Sequence, residues 1–388
     1  MFDALRNWLA VRAELRAERG RRAMREVSDG YLIDEKLQEV FRFLHAGHRE
    51  DAEAAFDALD AAYPGGLVGN PGAVHALLQL GRIDAAEELV TRSQRRFPDD
   101  RRFAELYGAV ADHRSDVQER LRRWRAFRRR YPAYPNSFIH EAYALEAAGD
   151  AAAGEAVLAQ GVRTVPEEVR VAIEYAQRAD RREDWAASLE RWTAVRDAHD
   201  YHLAPVMIAR ALEALGRPAE AAAALEDGRR RQPTESEIVE EQARLAERQG
   251  DLAAAGAFWR EVVRDFPHRG HAYAEGTRTL MAAGDLPGAE GLLAAAIGRT
   301  PGDRALLAQY ADLATTRSDW EAAALRWGAV RAVAPDDPLA IVREAQALHL
   351  LGRTDEAQAL VTAAAARMPD DAMIAQAVAV LAAARAEG

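Results

Sequence analysis

The 388-residue chain contains no cysteine, which removes disulfides, thiolate metal sites and cysteine nucleophiles together. Lys36 is its only lysine, so nearly all of the positive charge is arginine. No apolar run reaches the ~18–20 residues that span a bilayer. Arg6 and Arg12 interrupt the one N-terminal stretch that would otherwise read as a signal-peptide core. Positive charge is short overall: the net charge of −11 argues against a general nucleic-acid binder. HExxH, GxSxG and phosphate-binding glycine loops are missing too. His45 with His48, His199 with His202, and His268 with His271 have HxxH spacing, but they straddle turns and have no third ligand beside them. The reading is a non-enzymatic cytoplasmic protein with no catalytic, cofactor-binding or metal residues.

What the chain does have is a ruler. Pro64, Pro98, Pro132, Pro166, Pro233, Pro267, Pro301, Pro335 and Pro369 fall on a 34-residue period that shortens once by one residue, with Asp200 in the remaining slot. Seventeen residues before each slot lie Gly47, Gly81, Ser115, Gly149, Glu183, Gly216, Gly250, Gly284, Ser318 and Gly352. A fixed period of this length means a repeat array. Glycine ends a helix and proline cannot continue one. Asp116, Asp150, Asp184, Asp251, Asp285 and Asp319 follow the first mark and have N-cap chemistry for a second helix. One repeat is therefore helix A, a tight turn, helix B and a proline turn. At 64–72 the sequence PGGLVGNPG delays the next helix A, with Asn70 and Pro71 as its cap and first turn.

Small residues occupy fixed places in both helices: Gly108, Ala142, Ala176, Ala209, Ala243, Ala311 and Ala345 in helix A, and Ala52, Ala86, Gly154, Ser188, Ala221, Ala255, Ala289, Ala323 and Ala357 in helix B. Arg120 is the outlier in the second set. This pattern resembles the tetratricopeptide repeat over residues 31–388. The resemblance implies an all-α, right-handed α-solenoid of about ten helix hairpins. It also implies that helix A lines a concave groove where partner proteins or peptides bind. Residues 1–30 form a basic amphipathic lead segment with Phe2, Leu5, Trp8 and Leu9 on one face, residues 31–370 the repeats, and residues 371–388 a capping helix.

A second period runs inside the first. Trp124, Trp192, Trp259 and Trp327 recur in alternate repeats, and Leu158, Leu225, Leu293 and Val361 take the slot between them. Helix A compensates with Ala111, Ala179, Ala246 and Ala314 in the Trp type and leucine in the other. Large against small is what interdigitated packing needs, so the tryptophans read as core.

Two surfaces remain as candidates. In helix A, Arg210, Arg244 and Arg278 recur in successive repeats beside an acidic run of Asp112, Glu146, Asp180, Glu213 and Glu247. Arg210–Glu213 and Arg244–Glu247 have i,i+3 spacing and pair with each other on the simplest reading. Facing the groove, the arginines hold a partner's carboxylates through two-pronged hydrogen bonds, and their charge reversal abolishes capture. The second surface is a basic helix B in which Arg122, Arg125 and Arg129 share a face, either solvated or set against an anionic partner. The leading function is a scaffold that binds a protein or peptide in the groove. The alternative is a peripheral inner-membrane adaptor for envelope or surface-polysaccharide assembly, held by residues 1–30.

Overall fold

The computed structural model describes residues 29–387, and every regular element in them is an α-helix. The chain divides into two compact units between Arg182 and Glu183. The first contains α1 (29–45), α2 (Arg49–Ala62), α3 (Pro71–Gln79), α4 (Ile83–Arg96), α5 (Arg101–Asp112), α6 (Val117–Arg130), α7 (Pro135–Ala147), α8 (Ala151–Thr164) and α9 (Val169–Arg181). The second contains α10 (Trp185–His199), α11 (Ala204–Ala214), α12 (Pro218–Arg231), α13 (Ser236–Arg248), α14 (Leu252–Asp265), α15 (Gly270–Ala282), α16 (Leu286–Arg299), α17 (Arg304–Thr316), α18 (Trp320–Val333), α19 (Pro338–Leu350), α20 (Thr354–Arg367) and α21 (Ala372–Glu387). Each unit is a solenoid of helix hairpins. From α3 to α9 and from α11 to α21, odd-numbered helices are A helices and even-numbered ones are B helices.

The hairpin turns follow from local chemistry. Gly81, Gly149, Gly216, Gly250, Gly284 and Gly352 all have positive φ. This conformation lets the next N–H reach back to a carbonyl of helix A, as in Arg82 N to Leu77 O at 2.9 Å and Asp251 N to Ala246 O at 2.9 Å. All six N-cap aspartates accept a backbone N–H three residues on, for example Asp116 from Glu119 at 2.9 Å and Asp285 from Gly288 at 2.9 Å. Asn70 caps α3 by accepting from Ala73 N at 3.3 Å. Glu183 and Ser318 are forced into the same left-handed region, each at φ 56°.

One turn departs from the ruler. Ser115 does not adopt positive φ. Instead the Arg120 guanidinium donates to the carbonyls of Asp112 at 2.8 Å and Arg114 at 3.3 Å. The two irregularities of that repeat are thus one device: an arginine in the small-residue slot satisfies helix-end carbonyls with a side chain.

The core confirms the alternation. Trp124, Trp192, Trp259 and Trp327 are buried, as are Leu158, Leu225, Leu293 and Val361. Space explains the small residues: a Cβ on Gly108 would lie 2.9 Å from the Trp124 ring. A buried indole N–H needs an acceptor, and for three of the four helix A supplies it twelve residues earlier. Trp124 donates to Asp112 at 2.9 Å, Trp259 to Glu247 at 2.9 Å and Trp327 to Thr315 at 3.2 Å.

Candidate functional site

The three arginines of the sequence reading lie on successive A helices of the second unit: Arg210 on α11, Arg244 on α13 and Arg278 on α15. Their partners are not those that the i,i+3 spacing suggests. Arg210 reaches across to Glu241 of α13 at 3.1 Å. Arg244 pairs with Glu240 at 3.0 Å and Glu241 at 3.5 Å. Arg278 reaches back to Glu247 at 3.2 Å and also holds Glu275 at 2.8 Å. Glu213 accepts from Arg248 at 2.6 Å. Neighbouring A helices lie close enough for arginine to bridge them. An acceptor on the next helix therefore competes with one on its own helix: Arg210 and Arg278 reach across, while Arg244 keeps to acceptors on α13.

Glu240 and Glu241 organise this face. They are 2% and 1% exposed, between the core residues Val239 and Ala243. Glu241 accepts from Arg210 and from Arg248 at 2.9 Å, and Arg244 stands 3.5 Å from it as an ion pair. Glu240 accepts from Arg244 and from Arg269 at 2.8 Å, and the His271 Nε2 lies 3.0 Å from it. Burial alone would push the Glu241 carboxyl up, but Arg210 and Arg248 outweigh it and hold the group below the ordinary carboxylate range. Glu240 is likewise driven up by burial and held down overall by Arg269 and His271. Glu247 is pushed up by burial and brought below its ordinary value by Thr279, Trp259 and Arg278. The arginines stay open to solvent on their other side, with side-chain exposures of 50% for Arg210, 36% for Arg244 and 60% for Arg278.

Sequence reasoning passed over Glu240 and Glu241. The signal was present in EIVEEQAR, where adjacent acids sit between apolar positions on the buried stripe of helix A. The acidic run also divides by role. Asp112 and Glu247 are acceptors for tryptophan N–H groups, while Glu146 pairs with Arg178 and lies 3.7 Å from Arg181. Asp180 lies in the last turn of α9, in the first unit.

The basic helix is α6, and its arginines split by direction. Arg120, Arg123 and Arg128 serve the interior. Arg123 bonds Glu119 at 2.6 Å, Glu87 at 2.5 Å and the Tyr107 carbonyl at 3.0 Å, and Arg128 pairs with the buried Glu141. Arg122, Arg125 and Arg129 are exposed: Arg122 pairs with Glu119, and Arg125 stands 3.6 Å from Glu141.

A third feature was not foreseen. An open trough of about 690 Å³ lies between α19 and α21, walled by Leu339, Val342, Leu350, Met373 and Val380, with Arg343 among them. Among the described residues no group of three or more metal-ligating side chains converges, and no helix is long and apolar enough to cross a membrane. The expectations placed on Phe2, Leu5, Trp8 and Leu9 fall outside the described residues.

The tetratricopeptide repeat family model matches residues 72–119 and 206–269. With hairpins that repeat in register, the chain thus contains tetratricopeptide repeats, which generally mediate protein–protein interaction. A tetratricopeptide repeat protein from Parabacteroides merdae is similar in structure, with 12% identity, 64% of this chain and 98% of that chain covered, and a TM-score of 0.37. The C-terminal part of a repeat protein from Cytophaga hutchinsonii is similar at 14% identity, with 62% and 98% covered and a TM-score of 0.42. No curated protein matches the chain.

Proposed function

We propose that the protein is a non-enzymatic scaffold that holds a partner protein or peptide along the A-helix face of its second unit. The contacts are made by Arg210, Arg244 and Arg278, with Glu213 and Glu247 beside them. The observation that carries this reading is the pair of buried carboxylates. Glu240 and Glu241 anchor Arg210 and Arg244 from behind, and Glu247 does the same for Arg278, while the outer side of each guanidinium stays open. An arginine held this way has already lost much of its side-chain freedom, so a partner carboxylate binds it at lower entropic cost.

The same anchoring changes the test. Charge reversal would set new carboxylates against Glu240 and Glu241 and unfold the face it is meant to probe. Arg210→Lys, Arg244→Lys and Arg278→Lys together keep the counter-charge and remove the two-pronged donor. Affinity capture from a cell extract compares this variant with the wild type. A partner held by the wild type and lost by the folded triple variant supports the proposal. A partner held equally by both moves the interface off these arginines and sinks it.

A further inference from the structure

Taken slot by slot, the A-helix face of α13 and that of α19 are one surface written in two chemistries. The slots of Glu237, Glu240, Glu241, Arg244 and Arg248 are occupied three repeats later by Leu339, Val342, Arg343, Gln346 and Leu350. An ion-paired face becomes an apolar trough, continued by Met373 and Val380 of α21. Its walls remain open, with Leu339 39%, Leu350 49%, Met373 44% and Val380 59% exposed. A contiguous apolar patch on an otherwise charged face marks an interaction surface.

Arg343 defines what fits. It stands in the slot that Glu241 fills in α13, and its contact within the protein is the Gln346 amide oxygen at 3.3 Å. Among the described residues no carboxylate lies within ion-pair distance of it. On α13 every arginine of the face has one. A half-buried guanidinium beside apolar walls is short of an anion.

We infer that this trough receives an amphipathic helix of a partner protein, apolar side down, with a carboxylate against Arg343. The inference rests on the reading of the protein as a partner-binding scaffold and names the chemistry of the partner. Shape favours a helix over an acyl chain. The trough is a furrow between two helices, about 20 Å long for thirteen residues, and an acyl chain in so open a furrow would stay wet along one side. A helix laid between helices covers the walls with residues at i, i+3, i+4 and i+7. Met373 gives the floor an adaptable side chain.

The probe is an acetylated, amidated helical peptide of about 14 residues, with leucines at that spacing and one glutamate beside them. Its twin carries glutamine instead. Both are titrated into protein labelled at the methionine methyls, with Met373 as reporter and Met207 of α11 as control. We expect saturable shifts of Met373, binding of the twin weaker by about five- to tenfold, and loss of that difference in Arg343→Gln. Val380→Glu, at an exposed wall, should block the peptide while leaving the fold intact. No shift at about 1 mM peptide, or equal binding of the twins to the wild type, overturns the inference. So does a Met373 shift produced by sodium dodecanoate and not by the peptide, which would make this an acyl-carboxylate site. A Met373 shift that grows with protein concentration alone would assign the trough to a second copy and overturn it too. None of these results touches the lysine-variant capture, which tests the scaffold reading through other residues.

Discussion

Helices α13 and α19 share the A-helix backbone and its turn chemistry, one in a Trp-type repeat and one in a Leu-type repeat, yet they carry opposite faces. Each ends in a turn with a left-handed glycine, Gly250 or Gly352, and each buries a small helix A residue, Ala243 or Ala345. Outward, α13 presents Glu237, Arg244 and Arg248 over two buried carboxylates, and α19 presents Leu339, Gln346 and Leu350. The contrast shows which slots specify the repeat and which are free. Tryptophan, leucine and alanine slots, with the caps, make the hairpin. The remaining slots accept any chemistry that satisfies itself locally, and they are where function can differ along one array.

The deepest test of that division is the core. Trp259→Ala, beside the charged face, and Trp327→Ala, beside the apolar one, should each cost roughly 3–5 kcal/mol in denaturant unfolding. Trp259→Ala should exceed its counterpart, because it also strips Glu247 of a donor whereas Trp327 leaves only a threonine. Equal or small losses would show that the tryptophans do not carry the repeat.

Next comes the anchor. Glu241→Gln should destabilise by roughly 1–3 kcal/mol, since three arginines lose a buried counter-charge but keep access to water. Arg343→Gln at the matched slot of α19 should change stability by no more than about 0.5 kcal/mol. A comparable loss at both slots would erase the comparison.

Acid should divide the two faces as well. Glu240, Glu241 and Glu247 are held below their ordinary values in the folded state. Their contribution is complete above the unfolded value of about 4.3 and is lost as pH falls toward the folded value. Amide exchange measured from about pH 5 to pH 3 should show α13 opening before α19. Simultaneous opening would mean that the carboxylates contribute little.

The smallest expected effect concerns the turns. Ser318→Gly relieves a left-handed serine and should stabilise by about 1 kcal/mol. Ser115→Gly should not, because that turn is closed by Arg120 and its serine is unstrained. Thermal unfolding of both variants makes the check.

Much of the architecture was legible in the chain. The aspartate caps, the Asn70–Pro71 helix start and the alternation of tryptophan with leucine depend on contacts within a few residues or on one repeated volume rule, and each is present. The site was less legible. Glu213 and Glu247 lie three residues from Arg210 and Arg244, yet both arginines choose Glu240 or Glu241. Arg120, the outlier among the small residues of helix B, caps helix-end carbonyls with its side chain.

The sequence by itself determined the repeat, its hairpins and its core, because helix capping, turn conformation and side-chain volume act over short, regular separations. Tertiary structure alone decided which charges meet and which remain without a partner. An arginine side chain spans the distance to several carboxylates on its own helix and the next. Burial then selects among them, making Glu240 and Glu241 the anchors of one face and leaving Arg343, among the described residues, without a counter-ion on the other.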